Sequence, residues 1–249
     1  MVDSAENRLN SERTFMSAKY CQPFLSLLAL LSALNLSCNT FGPQTAEDLV
    51  SQARAENVKG DWDGAIADCT KAIEHNPKDA TAYFNRGFAK EFMGNRDGAI
   101  ADYSKAIELT PQYAEAYNNR GNAKANKDDW DGAIADYSKA VELNPQYADA
   151  YINRGCARGN KNDWDGAIAD CTKAIKLNPR LAAAYFDRGI ANEGKGDLDG
   201  AIADYSKAIE LNPNDADAFT SRAGVKIDKG DKAGALEDFN QAARLKGRG

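Results

Sequence analysis

The chain has 249 residues and a formal net charge of −6, with 43% hydrophobic and 27% charged residues. This balance suits a soluble chain with a sizeable core and excludes the basic footprint of a nucleic-acid-binding surface. A single histidine, His75, excludes catalysis built on histidine clusters, and five cysteines without a CxxC or Cys/His cluster exclude a zinc site.

The first 45 residues differ from the rest. Residues 24–36, FLSLLALLSALNL, form an uncharged apolar run of 13 residues. That is too short to span a bilayer comfortably but suits a signal-peptide core. Lys19 precedes the run and the small residues Ser37 and Cys38 follow, which completes the layout of an export signal. A start at Met16 would give that signal an ordinary length. A core helix is the competing reading, but the run lacks polar residues at helical period. Its end, LNLSC, resembles a bacterial lipoprotein cleavage site, which implies lipid attachment at Cys38. Asn35 departs from that pattern, and simple signal-peptide cleavage nearby fits as well. The expected location is exported: periplasmic, or held at a membrane only through a lipid on Cys38.

After this segment the chain repeats itself. GDWDGAIADCTKAIEHNP, from Gly60, recurs as GNRDGAIADYSKAIELTP, DDWDGAIADYSKAVELNP, NDWDGAIADCTKAIKLNP and GDLDGAIADYSKAIELNP. Pro77, Pro111, Pro145, Pro179 and Pro213 are spaced by 34 residues. Six units fit without a gap: 46–79, 80–113, 114–147, 148–181, 182–215 and 216–249. Each predicts two helices, one around AYxNRG and one around DGAIADYSKAIEL. Position fifteen holds Gly60, Gly94, Asp128, Asn162, Gly196 and Gly230, residue types that tolerate a left-handed backbone. Asp61, Asp129, Asp163, Asp197 and Asp231 at position sixteen are predicted caps of the second helix, and the proline ends it.

These units resemble the tetratricopeptide repeat family. Position eight is Ala53, Gly87, Gly121, Gly155, Gly189 and Ala223, and positions twenty and twenty-seven are alanine in all six units. The resemblance implies an all-α, right-handed solenoid of helix-turn-helix repeats over 46–249, with 1–45 as export segment and linker. It also implies a non-enzymatic scaffold, without a cofactor, that binds a protein or peptide segment in its concave groove. The alternative is a structural repeat protein at the cell envelope that self-associates through its sixth unit.

Two positions depart from the family pattern. Position seven is Arg86, Arg120, Arg154, Arg188 and Arg222, and position twenty-three is aspartate throughout, from Asp68 to Asp238. Their constant association predicts an ion pair within each unit. Trp62, Trp130 and Trp164, all at position seventeen, are expected to pack at the turn.

In the family, positions five, six, nine, twelve and thirteen of the first helix line the groove. By that correspondence the groove carries Phe84, Phe88 and Phe92 of the second unit and Asn118 and Asn122 of the third. It continues with Ile152 of the fourth and Phe186 and Ile190 of the fifth. Position six adds Asn85, Asn119 and Asn153, flanked by Ser51, Asp187 and Ser221. These positions vary while the scaffold positions repeat, as a recognition surface does. The aromatic stripe is expected to lie open as a binding patch and Asn122 to be exposed. The asparagines resemble the ladder of O-GlcNAc transferases, which holds a peptide backbone; bonding within the stack is the other reading. Groove acids, Glu91, Glu115, Asp149, Asp187 and Glu193, argue against a ligand carboxylate. Cys69 and Cys171 replace the tyrosines of sister units at position twenty-four and are expected to be buried.

Overall fold

The computed structural model of the protein describes residues 44–247. The apolar run at 24–36 and Cys38 lie outside the described residues. Twelve α-helices and no strand occur among the described residues, two helices per repeat. The helices divide into two compact units whose boundary, after Asp129, falls inside the third repeat.

Residues 44–129 form α1 (Ala46–Lys59), α2 (Trp62–His75), α3 (Ala80–Phe92), α4 (Arg96–Leu109) and α5 (Ala114–Ala125). Residues 130–247 form α6 (Trp130–Leu143), α7 (Ala148–Asn160), α8 (Trp164–Leu177), α9 (Ala182–Lys195), α10 (Leu198–Leu211), α11 (Ala216–Asp228) and α12 (Lys232–Lys246). Within each unit every helix packs on its sequence neighbours. First helices also touch one another: α1 with α3 and α3 with α5 in one unit, α7 with α9 and α9 with α11 in the other.

The turns between paired helices follow from two residues. Position fifteen is left-handed in every repeat, with φ of 77–86° at Gly60, Gly94, Gly196 and Gly230 and 60° at Asp128 and Asn162. The next side chain caps the second helix. Asp61, Asp163, Asp197 and Asp231 accept from the backbone N–H of the glycine three residues on, and Asn95 does the same for Gly98. That glycine is required by the cap. A Cβ on Gly64 would lie 2.7 Å from Asp61 Oδ2, and one on Gly166 2.2 Å from Asp163 Oδ2.

Packing is set by small residues meeting large ones. The alanines at positions twenty and twenty-seven, from Ala65 and Ala72 to Ala235 and Ala242, are all buried. Tyr103 and Tyr205 of the second helices lie against Gly87 and Gly189, where an added Cβ would stand 3.0 and 2.7 Å from the ring. Two further alanine positions complete the packing. Ala82, Ala116, Ala150, Ala184 and Ala218 at position three, with Ala89, Ala123, Ala157 and Ala191 at position ten, are fully buried. They pack each first helix onto the second helix of the repeat before it, as Ala82 does against Ala72 and Ala89 against Ala65 and Cys69.

The predicted ion pair is present, and it is one part of a larger node. Arg86, Arg154, Arg188 and Arg222 each fork onto Asp102, Asp170, Asp204 and Asp238 through Nε and Nη2, at 2.7–2.9 Å. The remaining Nη1 donates to the hydroxyl at position twenty-five of the preceding repeat: Thr70, Ser138, Thr172 or Ser206. Arg120 reaches Ser104 in the same way. Each of the five guanidiniums also lies 5.5–5.6 Å from the ring at position four, a tyrosine or Phe219. One arginine therefore ties together its own two helices and the repeat before it. In the first repeat Gln52 stands at position seven, and Asp68 pairs with Lys71 instead.

Candidate binding site on the first helices

The aromatic stripe of α3 divides between two environments. Phe84 packs with Tyr103 and Tyr113, at centroid distances of 5.7 and 4.9 Å, and belongs to the contact between α3 and the helices after it. Phe92 stacks on Trp62 at 4.5 Å and 14°, while Phe88 meets the same indole edge-on at 6.2 Å. Trp62 thus packs forward onto position thirteen of the next repeat. Trp164 makes the same contact with Gly194, whose Cβ would stand 2.8 Å from the indole. The end of the stripe stays in water even so: Phe92 is 45% exposed and the next residue, Met93, 50%, while Val58, at position thirteen of the first repeat, is 67% exposed.

The amides differ from expectation in their surroundings. Asn85, Asn118, Asn119, Asn122 and Asn153 are all buried, and Asn122, expected at an open surface, is 1% exposed. Several amides are engaged locally. Asn85 Nδ2 donates to Thr81 O at 2.8 Å, Asn118 Nδ2 donates to Asn119 Oδ1, and Asn57 Nδ2 donates to Asn85 O.

Position six also serves a relay with position twenty-four of the preceding repeat. The Asn119 amide donates to the Tyr103 phenol oxygen, and Tyr103 Oη donates to Glu91 Oε2 at 2.8 Å. Ser221, Tyr205 and Glu193 repeat this arrangement. Burial pushes the Glu91 carboxyl up to about 7, against the opposing effects of the Tyr103 hydrogen bond and Arg96. Sequence reading missed the relay. Its one trace is that Glu91 and Glu193, at position twelve, accompany Tyr103 and Tyr205.

In residues 130–247, Ile152 and Phe186 are buried against the following repeat, and Cys156 and Ile190 pack together. Asp187 sits on the same helix as Phe186 and Ile190. It is 1% exposed, and burial alone pushes its carboxyl up to about 7. Cys69 and Cys171 are buried free thiols, as expected; burial pushes Cys69 up to about 12 and Cys171 well above its ordinary value, which leaves both unreactive. Among the described residues no group of acidic, histidine or cysteine side chains is arranged to hold a metal.

Comparison with known proteins agrees with this architecture. Sequence profiles described as tetratricopeptide repeat match residues 114–147, 137–169 and 154–222, and one described as TPR repeat matches 93–128. A search of curated protein sequences returned no match. Among solved structures, MamA is 29% identical with a TM-score of 0.61, over 65% of this chain and 95% of that one. YrrB, described as a TPR protein with an unusual peptide-binding site, is 28% identical with a TM-score of 0.60, over 71% of this chain and 91% of that one. PilW, described as a widely conserved type IV pilus biogenesis factor, is 20% identical with a TM-score of 0.72, over 79% and 91%, and shares the fold. The 34-residue period, the helix pairs and the matched profiles agree, and the chain belongs to the tetratricopeptide repeat family.

Proposed function

We propose that this protein is a scaffold that binds a segment of another protein on the faces presented by its first helices. The observation that carries the reading is the exposure of Phe92 and its chain neighbour Met93, kept in water although Phe92 stacks on Trp62. A rigid aromatic anchor beside polar side chains has the composition of a binding hot spot. The peptide-binding site described for YrrB supports the same reading. Groove residues in this proposal are Phe88 and Phe92 on one unit and Ile190 on the other; Asn85, Asn118, Asn119, Asn122, Ile152, Asn153 and Phe186, expected to line the groove, are buried and serve the contacts between helices instead. Phe84 supports the patch from the helix contact.

The test follows from that division. Phe88→Ser with Phe92→Ser should lower partner capture by the full-length chain by at least about tenfold, the loss of one ordinary hot spot. The melting temperature should fall only slightly, because Phe92 lies half in water. Capture equal to that of the unaltered protein would remove the patch from the binding site.

A second reading, self-association through the sixth repeat, is supported by Leu236 of α12, which is 61% exposed. We also read 1–45 as an export segment with Cys38 as its lipid-attachment residue. No described helix is long and apolar enough to cross a membrane. Incorporation of a palmitate analogue that disappears in Cys38→Ser is the expected result, and incorporation retained by that variant would exclude the assignment.

A further inference from the structure

Among the described residues, four repeat junctions carry an exposed ion pair and one junction holds only its acid. The lysine at position fourteen reaches back to the aspartate at position eighteen of the preceding repeat: Lys127 to Asp97, Lys161 to Asp131, Lys195 to Asp165 and Lys229 to Asp199. At the junction of the first and second repeats the aspartate is present as Asp63, but position fourteen is Met93.

Asp63 and Met93 face each other as the paired residues do. Trp62, one residue before Asp63, stacks on Phe92, one residue before Met93. At the junction of the fourth and fifth repeats Trp164 lies against Gly194, and the next residues on each side, Asp165 and Lys195, form the ion pair. The same step along both helices brings Asp63 to the side of Met93. Asp63 is exposed and pairs with no other cation among the described residues. The place is open to water: even with a lysine on them, the four paired aspartate side chains remain 80–85% exposed. A cation from outside can therefore reach Asp63 without displacing any part of the chain.

The methionine changes two things at once. It withdraws the cation from Asp63, and it extends the exposed apolar surface of Phe92 to the edge of that carboxylate. A basic side chain fits such a surface, since its methylene stem packs on apolar groups while its charged head stays in water. The chain's net charge of −6 also favours an approaching cation at long range. We propose that the segment bound at Phe92 and Met93 carries a lysine or arginine beside its apolar anchor, received by Asp63 in the place that a lysine of the chain fills at four other junctions. The proposal rests on the segment-binding reading given above and names the chemistry of the partner at that site.

The test pans a random nonapeptide phage library against the full-length protein. Enriched peptides should share one lysine or arginine at a fixed distance from an apolar residue. Replacing that cation by norleucine in the synthetic peptide should weaken binding about three- to fivefold, the upper part of what an exposed ion pair contributes. With Asp63→Asn, which keeps the shape and removes the charge, the same replacement should change binding by no more than about 1.5-fold, which isolates the contact between the two charges. Met93→Lys supplies the missing cation from the chain itself and should abolish the norleucine penalty as well. Both side chains are exposed, so both variants should keep the fold. Enriched peptides without a common cation, an equal norleucine penalty in the unaltered protein and Asp63→Asn, or a penalty kept by Met93→Lys would overturn the role of Asp63 and leave segment binding intact. No enrichment on the unaltered protein would overturn the segment-binding reading, and the proposal with it.

Discussion

Gly189 and Gly224 are both helical glycines of this array, and their surroundings give opposite expectations. A Cβ at Gly189 meets the Tyr205 ring at 2.7 Å, whereas one at Gly224 meets nothing within 4 Å. Gly189→Leu should therefore destabilise by about 3 kcal/mol or more, since overpacking displaces a fully buried ring. Gly224→Ala should stabilise by about 0.5–1 kcal/mol by reducing the freedom of the unfolded chain. Denaturant melts of the two variants check both, and a stabilised Gly189→Leu would mean that the glycine–tyrosine contact is not tight. Glu91 supplies a titration. Its carboxyl is raised from 4.5 to about 7, so its contribution to stability is complete below about pH 4.5 and is lost as pH rises through 7. Glu91→Gln keeps an acceptor for Tyr103 and cannot ionise. Its stability relative to the parent should be near zero at pH 4 and rise to about 1–3 kcal/mol above pH 8. A difference that does not vary with pH would show that Glu91 ionises as freely in the folded chain as in the unfolded one.

The helix pair depends on the arginine node. Asp204 is 6% exposed and is held by the Arg188 fork and by Asn192 Nδ2 at 2.9 Å. Arg188→Ala would leave that carboxylate buried with one neutral donor, and should cost about 3–5 kcal/mol. The double variant with Asp204→Leu should recover much of the loss, because the orphaned charge is then gone. Thermal melts of both, read as a cycle, decide between an ion pair kept for stability and one kept for geometry. At this scale the sequence was highly legible. The 34-residue period, the left-handed residue, the cap and the Arg–Asp pair each follow from residue type at a repeated position. The Nη1 bond to Thr70, Ser104, Ser138, Thr172 and Ser206 was not read, although position twenty-five holds a hydroxyl in those five repeats. A contact to the preceding repeat leaves no mark within one repeat's pattern. The candidate face was legible in position only. Which amides are buried depends on partners in other helices, such as Asn57 on the Asn85 carbonyl and Tyr103 beside Asn119, which residue type at one position does not reveal.

For the molecule as a whole, two different forces bear on any bound segment, and they can be separated. The exposed Phe92 and Met93 act through contact and apolar burial, which salt hardly affects. The charge of −6 acts at a distance and is screened within about 10 Å at 0.1 M salt. Electrostatic complementarity mainly changes how fast partners meet, whereas loss of a buried anchor mainly changes how fast they part. For a captured cationic partner, raising salt from about 0.05 to about 0.5 M should therefore lower the association rate of the unaltered chain severalfold. Phe88→Ser with Phe92→Ser should raise the dissociation rate at every salt concentration and leave the slope of association rate against salt unchanged. Kinetic binding measurements on an immobilised partner give both rates at once. An association rate indifferent to salt would remove the cationic character of the partner, and an unchanged dissociation rate would remove the aromatic patch.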